Sequence, residues 1–155
     1  MNKKLLIADP KIFSSCRICE LICSFKHEGV FNPSKSRIKV IRIEPPAYDF
    51  PIACKQCGKP PCKASCPTNA ISENHDGILY VNENLCIGCG ACVQACPFGA
   101  IRLKPNNGIA IMCDLCGECV KRCPPETLKL LTPEAISNQK AILYAKRFAF
   151  PIIKR

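Results

Sequence analysis

The sequence predicts an α+β fold in which short strands, hairpins and single helical turns hang on repeated cysteine loops. Three observations predict it. Fifteen of the 155 residues are cysteine. Most fall in register: Cys86, Cys89, Cys92 and Cys96 precede Pro97, and Cys113, Cys116, Cys119 and Cys123 precede Pro124 with the same spacing. Cys54, Cys57, Cys62 and Cys66 precede Pro67 with two extra residues in the middle gap. Finally, strand-like segments follow these Cys-Pro pairs, and Pro105-Asn106-Asn107-Gly108 reads as a hairpin turn between residues 100–104 and 108–112. Three cysteines within seven residues wrap one iron–sulfur cube, while a fourth set off by proline reaches a different cube. The chain therefore reads as a wire of iron–sulfur clusters.

From the N-terminus, Leu5–Ala8 is apolar but too short for the core of a signal peptide. Cys16, Cys19 and Cys23 match the second, third and fourth positions of the cysteine pattern, so the first position falls on Phe13. Within an insertion, residues 37–44 (RIKVIRIE) alternate basic and apolar side chains, as a strand with one wet face does, and Pro45-Pro46 ends it. The three full units begin at Cys54, Cys86 and Cys113, a period of about 30 residues. In each, a cysteine loop leads to a helical turn that the Cys-Pro pair closes, and a strand follows. Residues 100–104 and 127–131 are such strands, and 78–82 return toward the third motif. Thr132-Pro133-Glu134 starts a C-terminal helix running through Ala135, Ile136, Ile142, Leu143 and Phe148 until Pro151 stops it. That tail holds no ligands; it covers the cluster core or serves as a docking arm. The organisation expected is a four-motif iron–sulfur domain over 1–131 and a tail over 132–155. Within the domain, an inner unit spans about 53–104, an outer unit about 5–30 plus 108–131, and an insertion 31–52.

Hydrophobic residues make up 48% of the chain, but much of that is cysteine, so the ordinary apolar core is thin. A small fold with a thin core needs staples. Iron–sulfur bonds supply them here, and the metal-free chain is expected to be largely unfolded. The formal charge is +10 with every cysteine neutral. An oxidised cube with four thiolates carries about −2, so three of them leave about +4. The basic excess thus compensates buried cluster charge. With no Trp, 6% aromatics and no basic run, the chain lacks the signature of a nucleic-acid binder.

No twin arginine opens the chain, and no run approaches the ~18 apolar residues of a membrane span. An odd cysteine count without a secretory signal argues against disulfides. These features place the protein in the cytoplasm of an anaerobic or low-oxygen cell. Structural zinc favours two separated Cys-x2-Cys pairs, a poorer match to three thiolates in seven residues. No acid/base dyad, nucleophile triad or phosphate loop is visible, so no catalytic residue is assigned, and the identifiable chemistry is one-electron transfer. His27 and His75 read as surface or turn residues. Lys55, Lys59, Lys63, Lys121 and Arg122 sit among cysteines as compensating charge. Gly88, Gly90 and Gly117 permit tight wrapping with backbone N–H groups aimed at sulfur.

The motifs CRICELIC, CKQCGKPPCKASCP, CIGCGACVQACPFGAI and CDLCGECVKRCP resemble those of four-cluster ferredoxin-like electron-transfer subunits of multi-subunit oxidoreductases, over residues 5–131. The resemblance implies tandem or nested two-cluster units in which the second and third motifs pair and the outer two pair around them. It implies one [4Fe-4S] cluster on Cys86, Cys89, Cys92 and Cys66, and a second on Cys54, Cys57, Cys62 and Cys96. A third falls on Cys113, Cys116, Cys119 and Cys23. A degenerate fourth site keeps Cys16, Cys19 and Cys123, with Phe13 at the missing position. That site is empty, holds a [3Fe-4S] cluster, or holds a [4Fe-4S] cluster whose odd iron takes Ser14, Ser15, water or a partner residue. The stretch SFKHEGVFNPSKSRI is similar to small subunits of tungsten enzymes of the aldehyde:ferredoxin oxidoreductase type, including class II benzoyl-CoA reductase. This implies a large catalytic subunit carrying a tungsten–bispterin cofactor, a further carrier such as ferredoxin or another iron–sulfur or flavin subunit, and a place in anaerobic metabolism. Iron–sulfur subunits of molybdopterin or hydrogenase-type complexes share the cysteine array. A free polyferredoxin shuttle and an iron–sulfur sensor are the remaining readings.

Overall fold

The structure, a computed structural model, describes residues 3–9, 13–45 and 48–149, apart from the side chains of Tyr48 and residues 143–149. Pro46 and Pro151, each expected to end an element, lie outside the described residues, as do the side chains of Leu143 and Phe148.

The described strands form antiparallel pairs with few residues each, as the α+β reading requires. β1 (Leu5–Ala8) pairs with β8 (Leu128–Leu131), setting Leu6 opposite Leu130. Segment 5–8 therefore joins the end of the fourth motif rather than hanging as a free apolar end. β2 (Lys39–Ile43) lies inside the strand expected at 37–44 and pairs with β3 (Tyr48–Ile52), which the sequence conceals by placing Pro51 in it. A two-stranded ribbon tolerates that proline because its N–H side can face away from the partner. β4 (Ile71–Glu73) pairs with β5 (Leu79–Val81), and β6 (Arg102–Leu103) with β7 (Ala110–Ile111). The turn at 105–108 closes the last pair, with the Gly108 N–H donating to Lys104 O at 3.0 Å.

Helices carry the third cysteine of each motif. α2 (Pro61–Ala64), α3 (Ala91–Ala95) and α4 (Glu118–Lys121) are single turns that stop before or beside the Cys-Pro pair. α1 (Ile18–Glu28) differs, with 11 residues. No proline follows Cys23; Ser24 does, so nothing ends the helix there. Glu20 in its first turn and Lys26 in its last suit the helix dipole. Gly29, at φ 69°, terminates it with its N–H on Phe25 O. α5 (Pro133–Ala149) starts where the sequence indicates, with Thr132 Oγ1 accepting the Ala135 N–H at 3.3 Å, and it leaves Ile142 exposed.

The core is thin and mixed. Leu6, Ile38, Val40, Ile71, Leu79, Ile101, Met112 and Leu128 are buried together with Cys19, Cys23, Cys54, Cys62, Cys92, Cys113 and Cys119. Buried polar groups tie the units together. Glu20, 1% exposed, accepts the Val40 N–H at 2.9 Å and Arg17 Nε at 2.6 Å, holding α1 on β2. Gln56 accepts the Leu79 N–H at 2.7 Å and donates to Cys113 O at 2.8 Å, joining the second motif to the fourth. Each such bond contributes about 1 kcal/mol net, but an orphaned buried partner costs about 1–3 kcal/mol, so removing Gln56 is worse than never having had it. Lys104 Nζ lies 2.9 Å from both Glu28 and Glu83. Among the described residues, no helix is long and apolar enough to cross a membrane.

Gly88 sits at φ +69° with Gly108 O only 2.9 Å from where a Cβ would stand. Gly88→Ala is expected to cost about 1–3 kcal/mol. Gly58, with nothing within 4 Å of its Cβ position, provides a near-neutral Gly58→Ala reference. Anaerobic thermal melts of the two variants check the difference.

Candidate iron–sulfur centres

Cysteines far apart in sequence converge. One cavity is lined by Cys66, Cys86, Cys89 and Cys92, walled by Ile71, Val81 and Leu103. Another is lined by Cys23, Cys113, Cys116 and Cys119, walled by Leu6, Ile38 and Leu130. Both mix three cysteines of one motif with the fourth of a distant one. Cys54, Cys57, Cys62 and Cys96 form a third group: Cys54 feels the charge of Cys57 and Cys96, and Cys62 feels Cys54 and Cys96. Cys16, Cys19 and Cys123 gather in a fourth place, and Phe13 is half-buried against the core.

A backbone signature explains how the loops wrap. The residue before the motif's second cysteine is left-handed in all four: Ser15 at φ 59°, Gln56 at 50°, Gly88 at 69° and Leu115 at 60°. The residue after it is left-handed in three: Arg17 at 57°, Gly90 at 76° and Gly117 at 80°. These turns point successive side chains and N–H groups inward. Donors reach sulfur accordingly. The N–H of Arg37 lies 3.2 Å from Cys23 Sγ, that of Ala70 3.3 Å from Cys66 Sγ, and those of Ala100 and Ala110 3.4 Å from Cys96 and Cys86 Sγ.

The electrostatics test whether this donor set fits a metal cluster. Burial, then the charges of Glu20 and Cys16, push the Cys19 thiol up to about 12. Burial, then Cys23, Cys19 and Cys116, push Cys119 up to about 12. Burial also raises Cys54, Cys62, Cys92 and Cys113. At Cys66, burial acts upward, but bonds from the Thr68 hydroxyl and the Ala70 N–H outweigh it and lower the thiol. Thiols raised in this way stay protonated by themselves, and a cation among them inverts that preference and deprotonates them. Sulfur-rich pockets with N–H groups aimed at sulfur fit [4Fe-4S] clusters.

The structure also shows what the sequence reading of the histidines missed. His27 Nε2 lies 3.6 Å from Cys116 Sγ and 3.5 Å from Asp114 Oδ1, with its side chain 10% exposed. Its contacts depend on α1 running past Cys23, which the missing proline signals. His75 is exposed. Lys63 and Lys121 pair with Glu73 and Glu118 at 3.1 and 2.7 Å.

Fold and donor set together define an iron–sulfur electron carrier of the ferredoxin type. Residues 47–140 match the family model of the 4Fe-4S dicluster domain, and the chain belongs to that family. It is 43% identical, over 71% of its length, to the polyferredoxin-like subunit of the aliphatic sulfonate oxidoreductase of Pyrococcus furiosus, spanning 64% of that relative. It is 40% identical, over 74% of its length, to one of the subunits of the tetrathionate reductase of Archaeoglobus fulgidus, spanning 55% of that relative. A chain of the active site complex BamBC of benzoyl coenzyme A reductase in complex with zinc shares the fold, at TM-score 0.50 and 24% identity over 97% of this chain and 94% of that one. Both named relatives are subunits of oxidoreductases, and the chain spans less than two thirds of the length of each.

Anaerobic removal of iron is expected to abolish the native circular dichroism and the cooperative melt, because neutral thiols leave the cavities unfilled and the strand pairs are too short to persist alone. Restoring iron and sulfide under reducing conditions recovers both.

Proposed function

We propose that this chain is the electron-relay subunit of a cytoplasmic oxidoreductase complex whose large catalytic subunit carries a tungsten–bispterin cofactor. The observation that carries the relay is the convergence of distant cysteines into four-membered sets. In this reading, Cys86, Cys89, Cys92 and Cys66 hold one cluster, Cys54, Cys57, Cys62 and Cys96 a second, and Cys113, Cys116, Cys119 and Cys23 a third. Each cluster, when bound, takes up or gives back one electron at a time. The protein sets spacing, burial and charge. Cys92 feels both Cys66 and Cys62, so the first two sets adjoin. Gln56 donates its backbone N–H to Cys54 Sγ at 3.4 Å and its amide to Cys113 O, so the second adjoins the third. Cys119 feels both Cys23 and Cys19, so the third adjoins the fourth place. This succession of neighbours supports a relay from the first set to the fourth place. At the first end, exposed Cys89 lies beside Ile87 and Leu85, 68% and 47% exposed, an apolar face suited to a partner.

The fourth place, with Cys16, Cys19 and Cys123, takes a three-iron cluster in this reading. Ser15 and Arg17 keep the left-handed turns of the complete motifs although neither is glycine. Such turns cost about 1–2 kcal/mol per residue and persist where their surroundings enforce them. Phe13 holds the sequence position at which the complete motifs have their first cysteine. Tungsten rests on the similarity of SFKHEGVFNPSKSRI to small subunits of that enzyme class, and an oxidoreductase complex rests on the sulfonate oxidoreductase relative. The tetrathionate reductase relative favours a second reading with a different catalytic subunit.

Anaerobic purification with metal analysis and EPR tests the assignment. About 15 irons per chain, with the EPR signal of an oxidised three-iron cluster, are expected; about 12 irons without that signal leave the fourth place without a cluster. Tungsten in a co-purifying large subunit is expected, and molybdenum or no large subunit rejects it. Cys92→Ser is expected to lose one cluster and to slow electron relay at least tenfold while the partner keeps its own metal. Normal relay in that variant sinks the wire.

A further inference from the structure

Because α1 overruns Cys23, it presents a second side chain on the same helical face one turn on, His27. Cys23 lines the cavity shared with Cys113, Cys116 and Cys119, and His27 Nε2 reaches Cys116 Sγ at 3.6 Å. We propose that His27 is a positioning residue that sets the redox potential of this cluster by donating a hydrogen bond to the Cys116 thiolate. The inference rests on the assignment of Cys116 as a ligand.

The surroundings of Nε2 fix which way the bond runs. Asp114 Oδ1 is 3.5 Å from the same nitrogen and also accepts the Cys116 N–H at 3.3 Å. Asp114 Oδ2 accepts Arg37 NH1 at 3.0 Å in a charge-assisted pair. A ligating thiolate and an arginine-bound carboxylate are both acceptors. Only a proton on Nε2 satisfies them, so the imidazole faces sulfur as an N–H donor. Arg37 serves this arrangement twice: its guanidinium orients Asp114 and its backbone N–H lies 3.2 Å from Cys23 Sγ. Cys116 is exposed, whereas the imidazole beside it is 10% exposed, so this donor competes with water at an otherwise open edge. A donor at a ligating sulfur stabilises the more negative, reduced state and raises the potential.

The ligand atoms of His27, Asp114 and Cys116 lie within 4.8 Å of one another, a spacing that also suits a single metal ion. The convergence of Cys116 with Cys23, Cys113 and Cys119 favours the hydrogen bond.

EPR-monitored redox titration of the whole cluster-loaded chain tests the inference. Cys116→Ser identifies the spectral component of this cluster by altering it. His27→Leu is expected to lower the midpoint potential of that component alone, at unchanged iron content. His27→Gln, whose amide still donates, restores it, and His75→Ala moves nothing. An unchanged midpoint in His27→Leu, while Cys116→Ser alters its component, overturns the inference and leaves the ligand assignment standing. If neither substitution alters any component, the assignment falls and the inference with it. Should His27→Leu lose the cluster, His27→Gln is compared with His27→Met, which has no donor: a lower potential in the latter supports the inference, and equal potentials overturn it.

Discussion

Burial and mutual charge act in the same direction on the inward-facing thiols. Cys119 is pushed up to about 12 by burial and by Cys23, Cys19 and Cys116, and burial raises Cys113 as well. Two like charges about 4 Å apart repel by about 4 kcal/mol at an effective dielectric of 20, several times the net worth of a hydrogen bond. A fold that gathers such groups is governed by whatever positive charge sits among them. The left-handed turns at Ser15, Gln56, Gly88 and Leu115 answer to that requirement, as do the N–H groups aimed at sulfur. The paired strands are correspondingly short, because they position loops rather than supply the core.

With so little apolar volume, polar side chains take on the task of joining the units. Glu20 secures α1 to β2, and Gln56 connects β5 to the loop of the fourth motif. Lys104, on the hairpin after the third motif, holds Glu28 of α1 at 2.9 Å, and Arg102 donates to Ser36 O in the insertion. Through the Val40 N–H on Glu20 and Ser36 O under Arg102, the insertion is tied to both α1 and β6, which gives it a structural part.

The cysteine spacing made the α+β class, the hairpin at 105–108 and the single-turn helices legible in the sequence, because each follows from a local rule about Cys-Pro pairs and turn residues. β1 and β4 escaped because four-residue and three-residue strands carry no periodicity of their own, and β3 because Pro51 disguises it. The length of α1 was legible in principle, since Ser24 stands where the other motifs have proline. The contact between His27 and Cys116 was not: it spans 89 positions, and only the packing of α1 against α4 creates it. The same holds for Gln56, whose role depends on a left-handed loop that brings residues 79 and 113 to one amide.

Cys23 lines its cavity with residues that come about 90 positions later. During synthesis, the N-terminal thiols therefore leave the ribosome well before Cys113, Cys116 and Cys119 exist. The cavity that Cys66 shares with Cys86, Cys89 and Cys92 closes within the middle of the chain, whereas the one that Cys23 lines needs the last third of it.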